Sequence, residues 1–183
     1  EEARDITLYA HWVITHITNA SDLIAFSNNV NTGTNYNGTT VFLDADVDFS
    51  NGLSEQFEPI GNDWNSYFQG TFDGQGYTIS NLAIKSASYD VGLFGVTKNS
   101  TIKNIVLDSS CSVVSSGTSY IGSIIGECGD CITENIVNIA SVTGTTNCFY
   151  LGGIAGHLSA LSDRVIIRNC ANYGSVTHSG SAS

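Results

Sequence analysis

The sequence predicts an all-β fold, a right-handed parallel β-solenoid (β-helix) with a short N-terminal capping helix. Two observations carry this prediction: strand-forming residues alternate with Gly, Asn, Ser and Thr throughout, and a segment of about 30 residues recurs. Right-handed winding is the rule for parallel strand crossovers. We place the solenoid at 14–183 and assign 1–13 to the tail of a preceding small β repeat or to a linker.

Three related glycine-containing segments define the repeat. They are "GLFG" at 92–95, "GSIIG" at 122–126 and "LGGIAG" at 151–156. Their last glycines are 31 and 30 residues apart, at Gly95, Gly126 and Gly156. A fixed period of this length is typical of stacked repeat architectures.

Other residues keep the same spacing from these glycines. An aliphatic residue lies two positions before each glycine, a tyrosine lies six positions before it, and an asparagine follows it. These columns are Leu93, Ile124 and Ile154; Tyr89, Tyr120 and Tyr150; and Asn104, Asn135 and Asn169. We therefore expect coils at about 89–118, 120–148 and 150–178.

Stacking the coils gives each column a predicted role. Equivalent residues of successive coils lie about 4.8 Å apart in such a stack. We expect the aliphatic column to face inward and the asparagine column to be internal, with its amides bonded along the stack. Glycine should supply positive φ at coil corners and let neighbouring backbones approach. Cys170 takes the place of Ile105 and Ile136, so we expect it to be buried.

A short helix is predicted to cover the first coil. Asn19 or Ser21 is a candidate N-cap, and Gly33 can end the helix. Three apolar residues share one helical face: Leu23, Phe26 and Val30. Such a helix would cover the strand edge that the first coil otherwise exposes.

The charge balance excludes several classes of partner. The net charge is −11, with six Lys plus Arg. Nucleic acids and anionic membrane surfaces select clustered positive charge, so neither is an expected partner. No apolar run approaches the roughly 20 residues that a membrane-spanning helix needs, so no membrane insertion is expected.

The glycine-containing segments resemble the GLUG motif, in which U is an apolar residue. That motif recurs in large bacterial and protist surface proteins, including adhesins and non-catalytic parts of secreted proteases. The segments at 22–50 and 68–84 ("FQGTFDGQGYTISNLAI") are similar to the entry region that precedes such repeats. "ITLYAHW" at 6–12 resembles the last strand of a Listeria–Bacteroides-type repeat. The resemblance covers about 17–178 and implies an extracellular, cell-surface module.

The five cysteines are expected to be structural. "CGDC" at 128–131 has a C-x-x-C spacing, but it lacks the helical context or the second ligand pair of redox and metal sites. The disulfide candidates, with their pairing left open, are Cys111, Cys128, Cys131 and Cys148. Three sequons are candidate N-glycosylation acceptors if the source is eukaryotic and the protein secreted: Asn19, Asn37 and Asn99.

One acidic segment is a weak calcium candidate. In "DADVD" at 44–48, three carboxylates fall on one strand face and could bind a hard cation: Asp44, Asp46 and Asp48. The same alternation describes a solvated outer face with apolar residues inward, and we favour that interpretation. No other metal site and no cofactor are predicted.

Two sets of aromatic residues are candidate ligand-binding surfaces. One set lies in the loop at 62–69, on Trp64, Tyr67 and Phe68. Loops on a rigid scaffold often carry binding residues. The other set is the tyrosine column, which would stack sugar rings if it faced outward and would belong to the core if it faced inward. We favour core packing, because aromatic stacks stabilise flat parallel sheets.

We predict a non-enzymatic module that acts in adhesion, by binding a glycan or a protein on another surface or neighbouring modules of the same protein. One alternative is a rigid spacer without a ligand. A second is a part, catalytic or not, of a carbohydrate-active β-helix enzyme. Catalysis would require paired carboxylates in a cleft, and the sequence offers no such constellation in an obvious spacing.

Overall fold

The computed structural model describes residues 13–86, 89–117, 120–145, 148–160, 162 and 164–179. This part of the chain winds as a β-solenoid of about four turns, as the repeat predicts. The segment at 6–12 lies outside the described residues, so the predicted tail of a preceding repeat stays a prediction.

The described residues form 19 β-strands. In chain order they are β1 (His16–Ile17), β2 (Thr40–Leu43), β3 (Val47–Asp48), β4 (Thr71–Asp73), β5 (Thr78–Ser80), β6 (Ala83–Ser86), β7 (Asp90–Val91), β8 (Phe94–Lys98), β9 (Thr101–Leu107), β10 (Ser112–Ser115), β11 (Tyr120–Ile121), β12 (Ile125–Gly129), β13 (Ile132–Asn138), β14 (Ser141–Gly144), β15 (Tyr150–Leu151), β16 (Ala155–Ser159), β17 (Ile166–Arg168), β18 (Ala171–Asn172) and β19 (Val176–His178).

Four parallel sheets run along the stack. The largest has the order β1-β2-β4-β9-β13-β17 and is extended by β3, β5 and β18. The other three are β6-β10-β14-β19, β7-β11-β15 and β8-β12-β16. Successive coils contribute equivalent strands, so Ile105 pairs with Ile136 in register. The core lies inside the coils and is continuous from the helix to the third copy of the repeat.

The aliphatic column faces inward as predicted. Leu93 and Ile124 are fully buried, and Ile154 is half-buried against the core. Cys170 also packs on the core, but it is half-buried and not buried as expected. The reason is its position in the last described coil, where no further described strand covers it.

The repeat glycines serve close approach and do not supply positive φ. A Cβ on Gly126 would lie 2.5 Å from the amide nitrogen of Val91, and one on Gly156 would collide with the amide nitrogen of Ile121. Neither glycine is among the residues with positive φ. The expectation of positive φ at these glycines is therefore wrong, because the asparagine column makes the left-handed turns.

The asparagine column forms a hydrogen-bonded ladder at a coil corner. Asn104, Asn135 and Asn169 have φ of 57°, 55° and 54°. Asn135 Nδ2 donates to Asn104 Oδ1 at 2.9 Å, and Asn169 Nδ2 donates to Asn135 Oδ1 at 3.3 Å. The ladder starts at Asp73, whose Oδ1 accepts from Asn104 Nδ2 at 2.8 Å.

The ladder lies on the surface, so its predicted internal position is wrong. Asn135 and Asn169 are exposed because the left-handed turn directs their side chains outward. The buried amide of the repeat is Asn138, which is fully buried. Its Nδ2 lies 2.6 Å from Asn172 Oδ1 and also donates to the carbonyl oxygens of Ala140 and Gly153.

The N-terminal helix α1 spans Ala20–Asn31. Asn19 is its N-cap and accepts a hydrogen bond from the backbone of Asp22, which settles the choice between Asn19 and Ser21. The three predicted apolar residues are fully buried: Leu23, Phe26 and Val30. A 3₁₀ helix follows at Leu53–Gln56. No helix within the described ranges combines the length and apolarity needed to span a bilayer.

The helix packs on the first coil through an aromatic cluster and a polar seam. The Phe26 ring lies 5.7 Å from the Phe68 ring and 5.8 Å from the Phe72 ring. Ser27 Oγ donates to the carbonyl oxygen of Glu58, and Asn31 Oδ1 accepts from the amide of Gly61. The capping role assigned from the sequence is thus visible as direct contact with the first coil.

The acidic segment 44–48 has the alternation of a solvated face, with Val47 buried and the carboxylates exposed. Each carboxylate accepts from different protein donors: Asp46 from the amide of Thr78, and Asp48 from Ser50 and Asn81. Asp44 contacts His16 and Gln75. The described residues contain no group of three or more His, Cys, Asp or Glu side chains placed to hold a metal ion.

A disulfide joins Cys128 and Cys131, two of the four candidates. Both cysteines are fully buried at the turn between β12 and β13. Cys111 is a buried thiol whose Sγ donates to the carbonyl oxygen of Ile79. Cys148 is half-buried, with its Sγ 3.5 Å from the carbonyl oxygen of Tyr150.

Replacing Asn135 by Ala is expected to lower the free energy of unfolding by about 1–2 kcal/mol, because alanine is strained in a left-handed turn. Asn135→Gly is the matched control, since glycine also lacks the amide but adopts this φ freely. Urea denaturation of both variants measures the difference. Equal losses would contradict the backbone explanation and assign the effect to the ladder.

Reducing the Cys128–Cys131 disulfide is expected to lower the free energy of unfolding by about 2 kcal/mol, the chain-entropy value for so short a loop. The measurement is the urea midpoint with and without dithiothreitol. The control is the double variant Cys128→Ser/Cys131→Ser, whose midpoint should not respond to the reductant. A wild-type midpoint that also fails to respond would contradict a stabilising role.

Candidate functional site: an aromatic and acidic groove

A groove of about 480 Å³ lies where the β7-β11-β15 sheet meets the β8-β12-β16 sheet. Its volume is in the range of small-ligand sites. Aromatic and acidic side chains line it together: Asp63, Trp64, Tyr89, Asp90, Tyr120 and Glu127. These residues come from a loop and two successive coils, so the groove exists only in the folded stack.

The loop that borders the groove, residues 61–67, projects from the solenoid between two β-bridges to β8. Ile60 pairs with Phe94, and Phe68 pairs with Thr97, so the intervening residues project outward. Trp64 is 39% exposed, and its Nε1 donates to Glu127 Oε2 at 2.9 Å. This hydrogen bond holds the indole at the edge of the groove.

The other two loop aromatics lie outside the groove lining. Phe68 is fully buried against Phe26 and Phe94, so its assignment to ligand binding is wrong. Its bridge to β8 turns the ring into the core. Tyr67 is half-buried, and Lys98 Nζ lies 5.7 Å from the centre of its ring.

The tyrosine column faces outward, which corrects the favoured assignment to the core. Tyr89 is 69% exposed, Tyr150 is 53% exposed, and Tyr120 is half-buried between them. The rings of Tyr120 and Tyr150 are 5.2 Å apart, and His157 stacks on Tyr120 at 4.6 Å. Together these three rings form an aromatic wall across two coils.

Tyr89 does not belong to the same column in space. Tyr120 pairs with Tyr150 on one side and with Asp90, not Tyr89, on the other. The first copy has one residue fewer between its glycines, as "GLFG" against "GSIIG" shows. The shortened copy moves the equivalent position by one residue and brings a carboxylate beside the aromatic wall.

Two acidic residues meet in the groove. Asp90 is 4% exposed, and its Oδ1 has no hydrogen-bond partner among the described residues. Burial raises the pKa of Asp90 to about 7, and the negative charge of Glu127 adds to this effect. Glu127 accepts from Trp64 Nε1 and contacts His157 Nδ1 at 3.0 Å.

The sequence did not indicate these acids. Asp90 and Glu127 are 37 positions apart in the chain, in two copies whose registers differ by one residue. The usable signal was the one residue missing between the glycines of the first copy, which indicates a change of register near Tyr89 and Asp90. His157 follows a repeat glycine, as Glu127 does, and these two positions pair in register.

A second groove of about 470 Å³ runs along the asparagine ladder and is polar. Asp73, Gln75, Asn104 and Asn135 are among its lining residues. The amides of Asn104 and Asn135 are bonded to each other, that of Gln75 donates to Asp44, and Lys103 Nζ lies 3.2 Å from Asp73 Oδ2. This groove lacks the aromatic surface of the first one. The three sequon asparagines, Asn19, Asn37 and Asn99, are exposed elsewhere and stay candidate acceptors.

The fold is a parallel β-solenoid, and its side carries a groove lined by aromatic and acidic residues. No protein-family model matches the chain. Over 106 residues, 57% of this chain, it is 32% identical to Halomucin from Haloquadratum walsbyi, and the match spans 1% of that protein's length.

A solved structure shares the fold. It is described as "a putative immunoglobulin A1 protease" from Bacteroides ovatus, and it superposes with a TM-score of 0.62 at 19% identity. The superposition covers 90% of this chain and 58% of the Bacteroides chain. At that identity the likeness supports the solenoid fold, and the chain corresponds to little more than half of that protein.

Replacing Asp90 by Asn is expected to stabilise the fold at pH 8 by about 1–3 kcal/mol and to have little effect at pH 4. The folded pKa of about 7 exceeds the unfolded value of about 3.9, so the fold favours the protonated carboxyl. The stability that the protonated Asp90 carboxyl contributes is complete below about pH 4 and is lost as the pH rises through about 7.

Melting temperatures from pH 4 to pH 8 measure this effect, at roughly 2–4 °C per kcal/mol. Asp108→Asn is the control, because hydrogen bonds from Ser110 lower the pKa of that exposed carboxyl. The Asp108 carboxylate stabilises the fold in its ionised form, so its contribution is lost as the pH falls. The stability contributed by Asp90 changes with pH in the opposite direction. A wild-type profile that Asp90→Asn leaves unchanged would contradict the buried, raised-pKa carboxyl.

Proposed function

We propose that this chain is an extracellular, surface-associated adhesion module that binds a glycan in the aromatic and acidic groove and does not cleave it. The observation that carries the proposal is the groove itself, where the rings of Trp64, Tyr89 and Tyr120 lie beside acidic side chains. From Tyr120 the aromatic wall continues to Tyr150 and His157. The similarity to part of Halomucin and the shared solenoid fold are consistent with a surface protein.

The arrangement suits a sugar for physical reasons. A pyranose ring has an apolar face that packs on an aromatic ring and hydroxyl groups that need hydrogen-bond partners. The groove offers both, because Trp64 and Tyr120 provide flat apolar surfaces beside the carboxylates of Asp90 and Glu127. Trp64 is already held by Glu127, so less side-chain freedom is lost on binding.

A carbohydrate-active enzyme is the second candidate, and the acidic pair favours it. Glycosidases typically pair a carboxyl of raised pKa, the general acid, with a second carboxylate that acts as base or nucleophile. Asp90, with a pKa of about 7, lies beside Glu127 in this way. We favour binding because both oxygens of Glu127 are engaged, one by Trp64 and the other by His157. A base or nucleophile would have to give up one of these contacts.

A spacer without a ligand is less consistent with the groove. Of the rings that line it, Tyr89 is 69% exposed and Trp64 is 39% exposed. Large exposed aromatic groups that converge on one concave site commonly mark interaction surfaces.

The double variant Trp64→Ala/Tyr89→Ala, which removes two exposed rings that line the groove, is expected to weaken glycan binding by about tenfold or more, since each ring contributes about 0.5–1.5 kcal/mol beyond its buried area. Binding to a glycan panel, followed by calorimetry on the best ligand, measures the loss. Tyr173→Ala is the matched control, because Tyr173 is 75% exposed and is not among the groove-lining residues.

Unchanged binding by the double variant, with an unchanged melting temperature, would remove the groove from the binding site. Absence of binding to every glycan in the panel would favour the spacer. Release of shortened oligosaccharides by the wild-type chain, lost in Asp90→Asn, would overturn the non-enzymatic part of the proposal.

A further inference from the structure

We propose that the groove selects glycans that carry a protonated amino group, such as hexosamine units without an N-acetyl group. This inference rests on the proposed glycan-binding function and adds the chemical class of the ligand. It starts from the unpartnered Asp90 carboxyl, the rings beside it and the charge of the lining residues.

Asp90 offers an acceptor that the protein leaves unused. It belongs to β7, where Tyr120 of the next coil pairs with it in register, so its backbone is fixed. Its side chain is almost fully buried and lines the groove, yet Oδ1 has no partner among the described residues. A buried carboxylate without a donor is costly, and a ligand that supplies one recovers that cost.

An ammonium group fits this acceptor better than a hydroxyl group does. It brings three donors and a positive charge, and charge-assisted hydrogen bonds are about twice as strong as neutral ones. Binding a cation favours the ionised form of Asp90, which burial alone disfavours. A neutral hydroxyl group donates one bond and brings no positive charge to Asp90.

The surrounding groups favour a cation as well. The rings of Trp64, Tyr89 and Tyr120 line the same groove, and aromatic faces attract ammonium groups at distances up to about 6 Å. Asp63 adds a further negative charge, and the groove-lining residues include no Lys or Arg among those described. An acidic sugar would meet like charge here, and the net charge of −11 adds to that repulsion.

The test compares two oligosaccharides of equal length, a β-1,4-linked glucosamine oligomer and its fully N-acetylated counterpart. Calorimetry at pH 7 and about 150 mM salt screens long-range charge effects. We expect the amine oligomer to bind about tenfold more tightly, the size of one charge-assisted hydrogen bond. Asp90→Asn should abolish the difference, because asparagine keeps the shape of the side chain and removes the charge that distinguishes the two oligomers.

Asp108→Asn is the control for net charge, since it removes one negative charge at a turn that is not part of the groove lining. It should keep the preference for the amine. Equal affinities for the two oligomers, or a preference that survives in Asp90→Asn, would overturn this inference and leave glycan binding intact. Binding of other panel glycans but neither oligomer would do the same, whereas failure of the whole panel would contradict the proposed function too.

Discussion

Close backbone contact between successive coils at the glycine column is the constraint on which this structure depends. Gly95, Gly126 and Gly156 lie where any Cβ would collide with backbone atoms of neighbouring segments. Two-residue strands such as β11 and β15 pair in register beside this contact. A larger side chain there would separate the coils and open the inner column of Leu93 and Ile124 to water. Glycine is therefore required at these three positions because it has no side chain to collide with the neighbouring backbone. None of the three has a positive φ, so the wider conformational range of glycine is not used there.

The candidate site arises where the repeat is broken. Perfect repetition stacks like on like, as it does for Tyr120 and Tyr150, and gives a periodic wall. One residue fewer in the first copy sets Asp90 against Tyr120, and the projecting loop adds Trp64 over Glu127. Unlike groups converge at this place because these two irregularities coincide on one side of the stack. The parallel strands behind the groove, which pair in register, hold the aromatic wall in place.

Polar side chains on the outside and on the inside of the coil find their hydrogen-bond partners in different ways. The left-handed turns belong to asparagines because their short amides tolerate positive φ and bond to the next coil. Inside, Asn138 is buried and is satisfied by the carbonyl oxygens of Ala140 and Gly153 and by Asn172. Asp90 differs from both sets, since it is a buried polar side chain whose Oδ1 lacks a described partner. Thr97, Ser100 and Thr133 also have buried oxygens without a described partner, but these are hydroxyl groups, whereas Asp90 is a carboxyl that lines the groove.

The sequence by itself determined the fold class, the inward aliphatic column, the helix with its buried face and the outward carboxylates of 44–48. The fold class and the aliphatic column follow from the repeat of about 30 residues. The helix face and the outward carboxylates follow from local periodicity, because a period of 3.6 or two fixes which side chains share a face. Only the tertiary structure decided the register between coils, which replaced Tyr89 by Asp90, exposed the tyrosines and the amide ladder, and buried Phe68. It also joined Cys128 to Cys131 and brought Asp90, Glu127 and Trp64 together. The sequence shows that the first copy is one residue shorter, but it does not show which residue of the neighbouring coil each residue then pairs with. Strand pairing decides this, because backbone hydrogen bonds allow the register to change only in whole-residue steps.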